Sequence, residues 1–199
     1  PQFSPAGKYI INFDADKSVW WSYATADGKK TNLTGHIKTH FEDQQRDTPE
    51  PKNAFGVAGW SADDASVVLY DQFDLWEVNL QSKATRNLTT GFGRKNQLEL
   101  RYVHLGENRY SPQTKALPSD KPWILSATHD VNQSTGYYSL DSQAKTPVEP
   151  KRLIHADKLI TGLIKAKDSD TTLFTQQTFT EFPDLWSADL SMANAKDRK

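Results

Sequence analysis

Two stretches of this chain are near-copies of each other. Phe3-Ser4-Pro5-Ala6-Gly7-Lys8-Tyr9-Ile10-Ile11 returns as Trp60-Ser61-Ala62-Asp63-Asp64-Ala65-Ser66-Val67-Val68, 57 residues on. Each copy runs into an alternating segment, a Trp and then the same Asn-Leu-Thr, at 32–34 and at 87–89, 55 residues apart. Asp74-Leu75-Trp76-Glu77-Val78-Asn79-Leu80 reappears 110 residues later as Asp184-Leu185-Trp186-Ser187-Ala188-Asp189-Leu190. A period in this range marks stacked supersecondary units. Units built of short strands favour propeller blades.

The unit has a physical logic. Ser-Pro-Ala-Gly and Ser-Ala-Asp-Asp carry turn chemistry, because Pro presets φ, Gly admits positive φ and Asp or Ser bonds nearby backbone. Tyr9 to Phe13 and Val67 to Tyr70 read as strands buried on both faces, and Trp76 to Leu80 alternates as a half-buried strand does. Each unit is expected to hold three or four antiparallel strands. Four units follow along the chain, at about 1–41, 54–91, 92–158 and 159–199, with polar insertions at 42–53 and 106–121. Gly136-Tyr137-Tyr138-Ser139-Leu140 takes the place of the Trp strand in the third unit. The fourth unit has no Asn-Leu-Thr ending, so it is expected to lack its edge strand. The expected fold is all-β, a partial β-propeller of about four antiparallel blades. The repeat position of Trp20 or Trp21, Trp76 and Trp186 reads as blade packing rather than a ligand platform, and Trp60 reads the same way.

Composition narrows the function classes. The chain has 24 basic and 25 acidic residues, a net charge of −1, and no basic stripe along the sequence, so electrostatic binding to nucleic acid is not expected. No apolar run approaches the roughly 18 residues of a membrane helix. There is no Cys, which removes disulfides and cysteine chemistry. The sequence begins at Pro1 and carries no signal peptide, as an excised segment or processed product would.

A search for chemistry finds weak signals. Gly59-Trp60-Ser61-Ala62-Asp63 is a defective nucleophile elbow. Asp63 stands where the second Gly is required, and a strand follows Ser61 where a helix should. His36 and His40 have the spacing of a metal pair, but Ile37 occupies the place of a zincin glutamate and no third ligand is in sight. His104, His129 and His155 are isolated. Gly91-Phe92-Gly93-Arg94-Lys95 could cradle an anion through its amides, yet it lacks the context of a nucleotide loop and reads as a turn. Glu181 and Asp184 could be paired carboxylates, but a solvated hairpin explains them as well. Asn32, Asn87 and Asn132 head glycosylation sequons, the first two at one repeat position where strand-end structure is the better explanation. No catalytic, metal-binding or cofactor-binding residue is assigned.

Phe3-Ser4-Pro5-Ala6-Gly7-Lys8-Tyr9 resembles the blade opener of TolB-like and prolyl oligopeptidase propellers. Gly56 to Ser61, Asn87 to Asn96 and Thr178 to Trp186 resemble a bacterial branch of the prolyl oligopeptidase family of serine peptidases. That resemblance covers most of the chain. It implies a non-catalytic propeller segment that gates or positions peptide substrates for a C-terminal α/β-hydrolase domain holding the catalytic Ser, Asp and His. It further implies export, commonly to the periplasm. The alternatives are a stand-alone TolB-like propeller acting as an interaction scaffold, and a propeller enzyme of the oligogalacturonate lyase kind, which would need several metal-binding His. Uncovered end blades would make the segment self-associate or lose stability.

Overall fold

The computed structural model describes residues 1–45, 50–105 and 116–197. It contains four four-stranded antiparallel sheets, each formed from consecutive strands. Sheet one comprises β1 (Gln2–Phe3), β2 (Tyr9–Asp14), β3 (Val19–Ala24) and β4 (Lys30–Asn32). Sheet two comprises β5 (Val57–Trp60), β6 (Ser66–Tyr70), β7 (Leu75–Asn79) and β8 (Thr85–Asn87). A short helix, α1 (Phe92–Asn96), leads into sheet three, which comprises β9 (Leu98–Tyr102), β10 (Trp123–His129), β11 (Thr135–Leu140) and β12 (Lys151–Ala156). Sheet four comprises β13 (Leu159–Lys165), β14 (Thr172–Gln177), β15 (Asp184–Ala188) and β16 (Lys196–Asp197).

The Asn-Leu-Thr repeat is a strand-end device. Asn32 Oδ1 accepts from the amides of Thr34 and Gly35, at 3.2 and 2.8 Å. Asn87 Oδ1 accepts from the Thr89 amide at 3.0 Å. The threonine hydroxyl then accepts an amide of the third strand, Trp20 N to Thr34 at 2.9 Å and Leu75 N to Thr89 at 3.2 Å. The leucine between them, Leu33 or Leu88, enters the core. Each residue of the tripeptide thus does a separate job in closing the blade.

Because strand side chains alternate, each sheet can bury both faces only between two neighbours. Val67 and Leu69 of β6 pack toward sheet one with Ile11, Trp20, Leu33 and Phe41. Val68 and Tyr70 of the same strand pack toward sheet three with Leu98, Leu100, Leu125 and Tyr138. Ile124 and Tyr137 of sheet three meet Ile160, Leu163 and Phe174 of sheet four. No apolar cluster joins sheet four to sheet one among the described residues. The fold is a partial β-propeller, an open arc of four blades.

A polar latch reinforces the first junction. Asp64, fully buried in the β5–β6 turn, accepts the Ser4 hydroxyl at 2.5 Å and the amides of Ala6 and Lys8 at 3.1 and 3.2 Å. The 57-residue offset puts Gly7 opposite Asp64, so this carboxylate is not repeated in sheet one.

Several expectations need correction. Sheet four does have its fourth strand, since Lys196 pairs with Ser187 and Asp197 with Trp186. Of the expected doubly buried stretch Tyr9 to Phe13, only Ile11 is buried, because among the described residues sheet one has an apolar neighbour on one side alone. Pairing in the sheets shows that Trp21, opposite Asn12, is the counterpart of Trp76, opposite Leu69. Trp76 and Trp186 are half-buried rather than core residues. The expected loop at 106–121 lies outside the described residues as far as 115. Beyond it, Leu117 is buried and donates its amide to Trp60 O at 2.7 Å. Gly59 permits that approach, since a Cβ there would stand 2.7 Å from the Leu117 side chain.

The repeat itself measures what a missing neighbour costs. Trp60 is 0% exposed, whereas Phe3 at the same repeat position is 55% exposed. Leu75 is 0% exposed, whereas Leu185 at the same position in sheet four is 45% exposed. We expect Trp60→Ala to cost about 3–5 kcal/mol and Phe3→Ala less than about 1 kcal/mol, read from urea midpoints. Equal losses would contradict the end position of sheet one.

Candidate functional site

The structure turns most sequence candidates into framework. Ser61 Oγ donates to Asp63 Oδ1 at 2.7 Å and accepts the Ser66 amide at 2.8 Å. Ser4 accepts the Tyr9 amide at 3.0 Å in the equivalent turn. The Ser61 hydroxyl holds Asp63 below the usual carboxylate range, followed in effect by the Ala65 amide. A serine that donates to a carboxylate has no imidazole to take its proton, so the nucleophile geometry of an elbow is missing here. A cavity of about 170 Å³ borders Ser61, Glu77 and Arg86, and there the two charges pair at 2.9 Å.

The histidines do not all gather into one site. His40 Nδ1 lies 3.0 Å from Glu42 Oε1 on the segment between sheets one and two. Among the described residues no group of three or more His, Cys, Asp or Glu could hold a metal ion. His104 meets the Tyr102 ring edge-on at 4.6 Å. His129 Nδ1 accepts the amides of Val131 and Asn132 at 3.1 and 3.3 Å, capping the β10–β11 turn. His155 Nε2 lies 2.8 Å from Ser134 Oγ, a pair separated by 21 positions along the chain. Burial, then Arg152 and His129, push the His155 pKa down. Its other ring nitrogen faces the Tyr138 hydroxyl at 3.5 Å, where a catalytic triad places a carboxylate.

Gly91 to Lys95 is the most instructive case. The segment is not a plain turn, because residues Phe92–Asn96 form α1. Its amides do cradle an anion, but the anion is part of the chain. Gly93 N and Arg94 N donate to the two oxygens of Asp74 at 3.0 and 3.2 Å, and the Thr89 hydroxyl donates at 2.6 Å. Burial raises the Asp74 pKa against the pull of these donors. Asp71 beside it accepts Thr39 Oγ1, Trp76 Nε1 and Arg94 Nη2 at 3.0, 3.0 and 3.1 Å. The two aspartates pin the incoming segment, the Trp strand and α1 to one corner of sheet two.

The remaining pair separates as well. Glu181 accepts Lys158 Nζ at 2.6 Å, while Asp184 opens β15 opposite Gln176. The β14–β15 hairpin that carries Glu181 also holds Phe179 and Phe182 in solvent.

What the sequence did not disclose is a groove of about 1220 Å³ between sheets three and four. It forms where β9, β11 and β13 end and β10 and β12 begin. Its walls are apolar, from Trp123, which belongs to the core between sheets two and three, and from Ile124, Leu153 and Leu163, which belong to the core between sheets three and four. Lys121, Lys151, Lys165 and Lys167 stand around it, with His104. Asp170 is the one acidic residue among the described lining, and it pairs with Lys165 at 3.5 Å. These lysines come from three separate places in the sequence, with Lys165 and Lys167 on one segment, so no basic run announces them.

Comparison with solved structures finds weak overall likenesses. A calcium-binding regucalcin from Agrobacterium tumefaciens is 13% identical, with a TM-score of 0.44, over 99% of this chain and 57% of its own. A TolB protein from the same organism is 12% identical, with a TM-score of 0.40, over 99% of this chain and 78% of its own. The β-propeller domain of the Trilobed protease from Pyrococcus furiosus, described as having an open velcro topology, is 11% identical, with a TM-score of 0.31, over 99% and 82%. The chain therefore spans little more than half of the regucalcin chain. No protein-family model and no curated protein sequence matches the chain.

The Asp74 cradle yields a test. A Cβ on Gly93 would stand 2.4 Å from the Phe73 carbonyl oxygen, a backbone atom that cannot swing aside. Gly93→Ala is expected to cost about 1–3 kcal/mol in thermal or urea unfolding. An unchanged midpoint would mean that α1 does not dock on Asp74 in solution.

Proposed function

We propose that the chain is a non-catalytic propeller segment of a prolyl oligopeptidase-type serine peptidase. In this reading it gates and positions peptides for an α/β-hydrolase domain elsewhere in the same polypeptide. The observation that carries the proposal is the pair of uncovered ends. Phe3 and Leu185 are exposed at positions where the repeat buries Trp60 and Leu75. Apolar positions of that kind are normally covered by a neighbour, and further blades of the same ring are the natural cover. The blade-opening and Trp-strand motifs support the peptidase branch of propellers. Export to the periplasm belongs to the same proposal.

Peptide gating needs no chemistry from the segment. The framework roles of Ser61, Asp74 and the histidines are consistent with that division of labour. A second reading is favoured by the solvent-exposed Phe179 and Phe182, which would suit a stand-alone interaction scaffold.

The test is a fluorophosphonate probe applied to the complete gene product and to residues 1–199 separately. The proposal expects labelling of the complete product, on a serine outside the segment, with Ser61→Ala and Ser134→Ala leaving the signal unchanged. Labelling within the segment would overturn the non-catalytic role. A complete product that takes up no probe would favour the scaffold.

A further inference from the structure

The groove between sheets three and four has a charge that the chain as a whole lacks. The chain carries a net charge of −1, yet four lysines and one aspartate line this groove among the described residues. Lys165 is committed, since its ammonium donates to Ser169 O at 2.6 Å and pairs with Asp170. The ammonium groups of Lys121, Lys151 and Lys167 have no hydrogen-bonding or ionic partner among the described residues, and all three residues are exposed. Between them the walls are hydrocarbon, from the edges of Trp123, Leu153 and Leu163 to the half-exposed Ile164.

From this juxtaposition we propose that the groove binds an extended acidic peptide, one whose carboxylates alternate with apolar side chains. The proposal deepens the peptide-handling reading above and rests on it. Alternation is what the geometry asks for. An extended chain sends successive side chains to opposite sides, so apolar residues can meet the floor while carboxylates reach the lysine rim. Lysine ammoniums on flexible stems suit carboxylates of variable placement. A nucleic acid fits less well. No arginine lines the described groove, and its one tryptophan, Trp123, is buried, so bases would have only Tyr102 and His104 to stack on, two rings that already meet edge-on at 4.6 Å. The consequence for a gating segment is substrate selection, because acidic peptides would be retained at the blade ends and basic ones turned away.

The experiment uses fluorescence anisotropy on the 199-residue chain with three labelled ten-residue peptides. These alternate leucine with glutamate, with glutamine or with lysine. A dT oligonucleotide of the same length is the fourth probe. The expected result is binding of the glutamate peptide that weakens at least roughly tenfold in a Lys121→Glu, Lys151→Glu, Lys167→Glu triple variant. Binding should also weaken at high salt, as screened charges require. All three lysines are exposed, so an unchanged thermal midpoint is expected and shows that the variant folds. Equal binding of the glutamine peptide, unaffected in the variant, overturns the acidic groove and leaves peptide handling standing. Binding of the oligonucleotide in preference to the glutamate peptide overturns the choice of ligand. Failure of every peptide to bind overturns the groove, while the fluorophosphonate labelling described above decides the peptide-handling reading separately.

Discussion

Everything in this molecule depends on a blade being covered on both faces. A strand sends alternate side chains to opposite sides, so β6 can place Val67 and Leu69 against sheet one and Val68 and Tyr70 against sheet three only because both neighbours exist. The core is therefore three interfaces in series and not one centre. Polar chemistry follows the same plan. Asp64 ties the turn of sheet two to that of sheet one, and Asp74 ties sheet two to the helix that leads into sheet three. Carboxylates that a sequence reader would inspect for catalysis are spent on joining one unit to the next.

The same constraint explains why the two ends look different from the middle. Phe3 and Leu185 occupy apolar repeat positions yet stay largely exposed, and Asn12 in β2 stands where Leu69 stands in β6. Such ends carry exposed apolar side chains without being unfolded, because each end sheet still has one buried face. They connect the fold to the proposed function, since a segment of this shape is suited to continue into further blades and to present its strand ends to a peptide.

The repeat made the blades legible. Ser4 and Ser61, Asn32 and Asn87, and Trp76 and Trp186 marked equivalent places before any coordinates, and sheet pairing then chose Trp21 over Trp20 as the third tryptophan. Other features left little trace. Residues Lys196–Asp197 form an edge strand of two residues without the Asn-Leu-Thr signature. Helix α1 has five residues, one of them Gly93, and reads as a turn because its stability comes from Asp74, nineteen positions away. The lysine groove was invisible for a similar reason. Lys121, Lys151 and Lys165 meet only when β10, β12 and β13 bring their ends together, and charge counted along the chain averages them away.

The central claim is that the four blades pack in series with both ends open, and hydrogen–deuterium exchange of backbone amides tests it most directly. Strands β2, β6, β10 and β14 are each the second strand of their sheet and are hydrogen-bonded on both sides, so they differ chiefly in how their faces are covered. The account predicts the slowest exchange in β6 and β10, with β2 and β14 exchanging at least roughly tenfold sooner through local opening of the end sheets. Equal protection in all four strands would show that sheets one and four are covered as well, and would contradict the open arc.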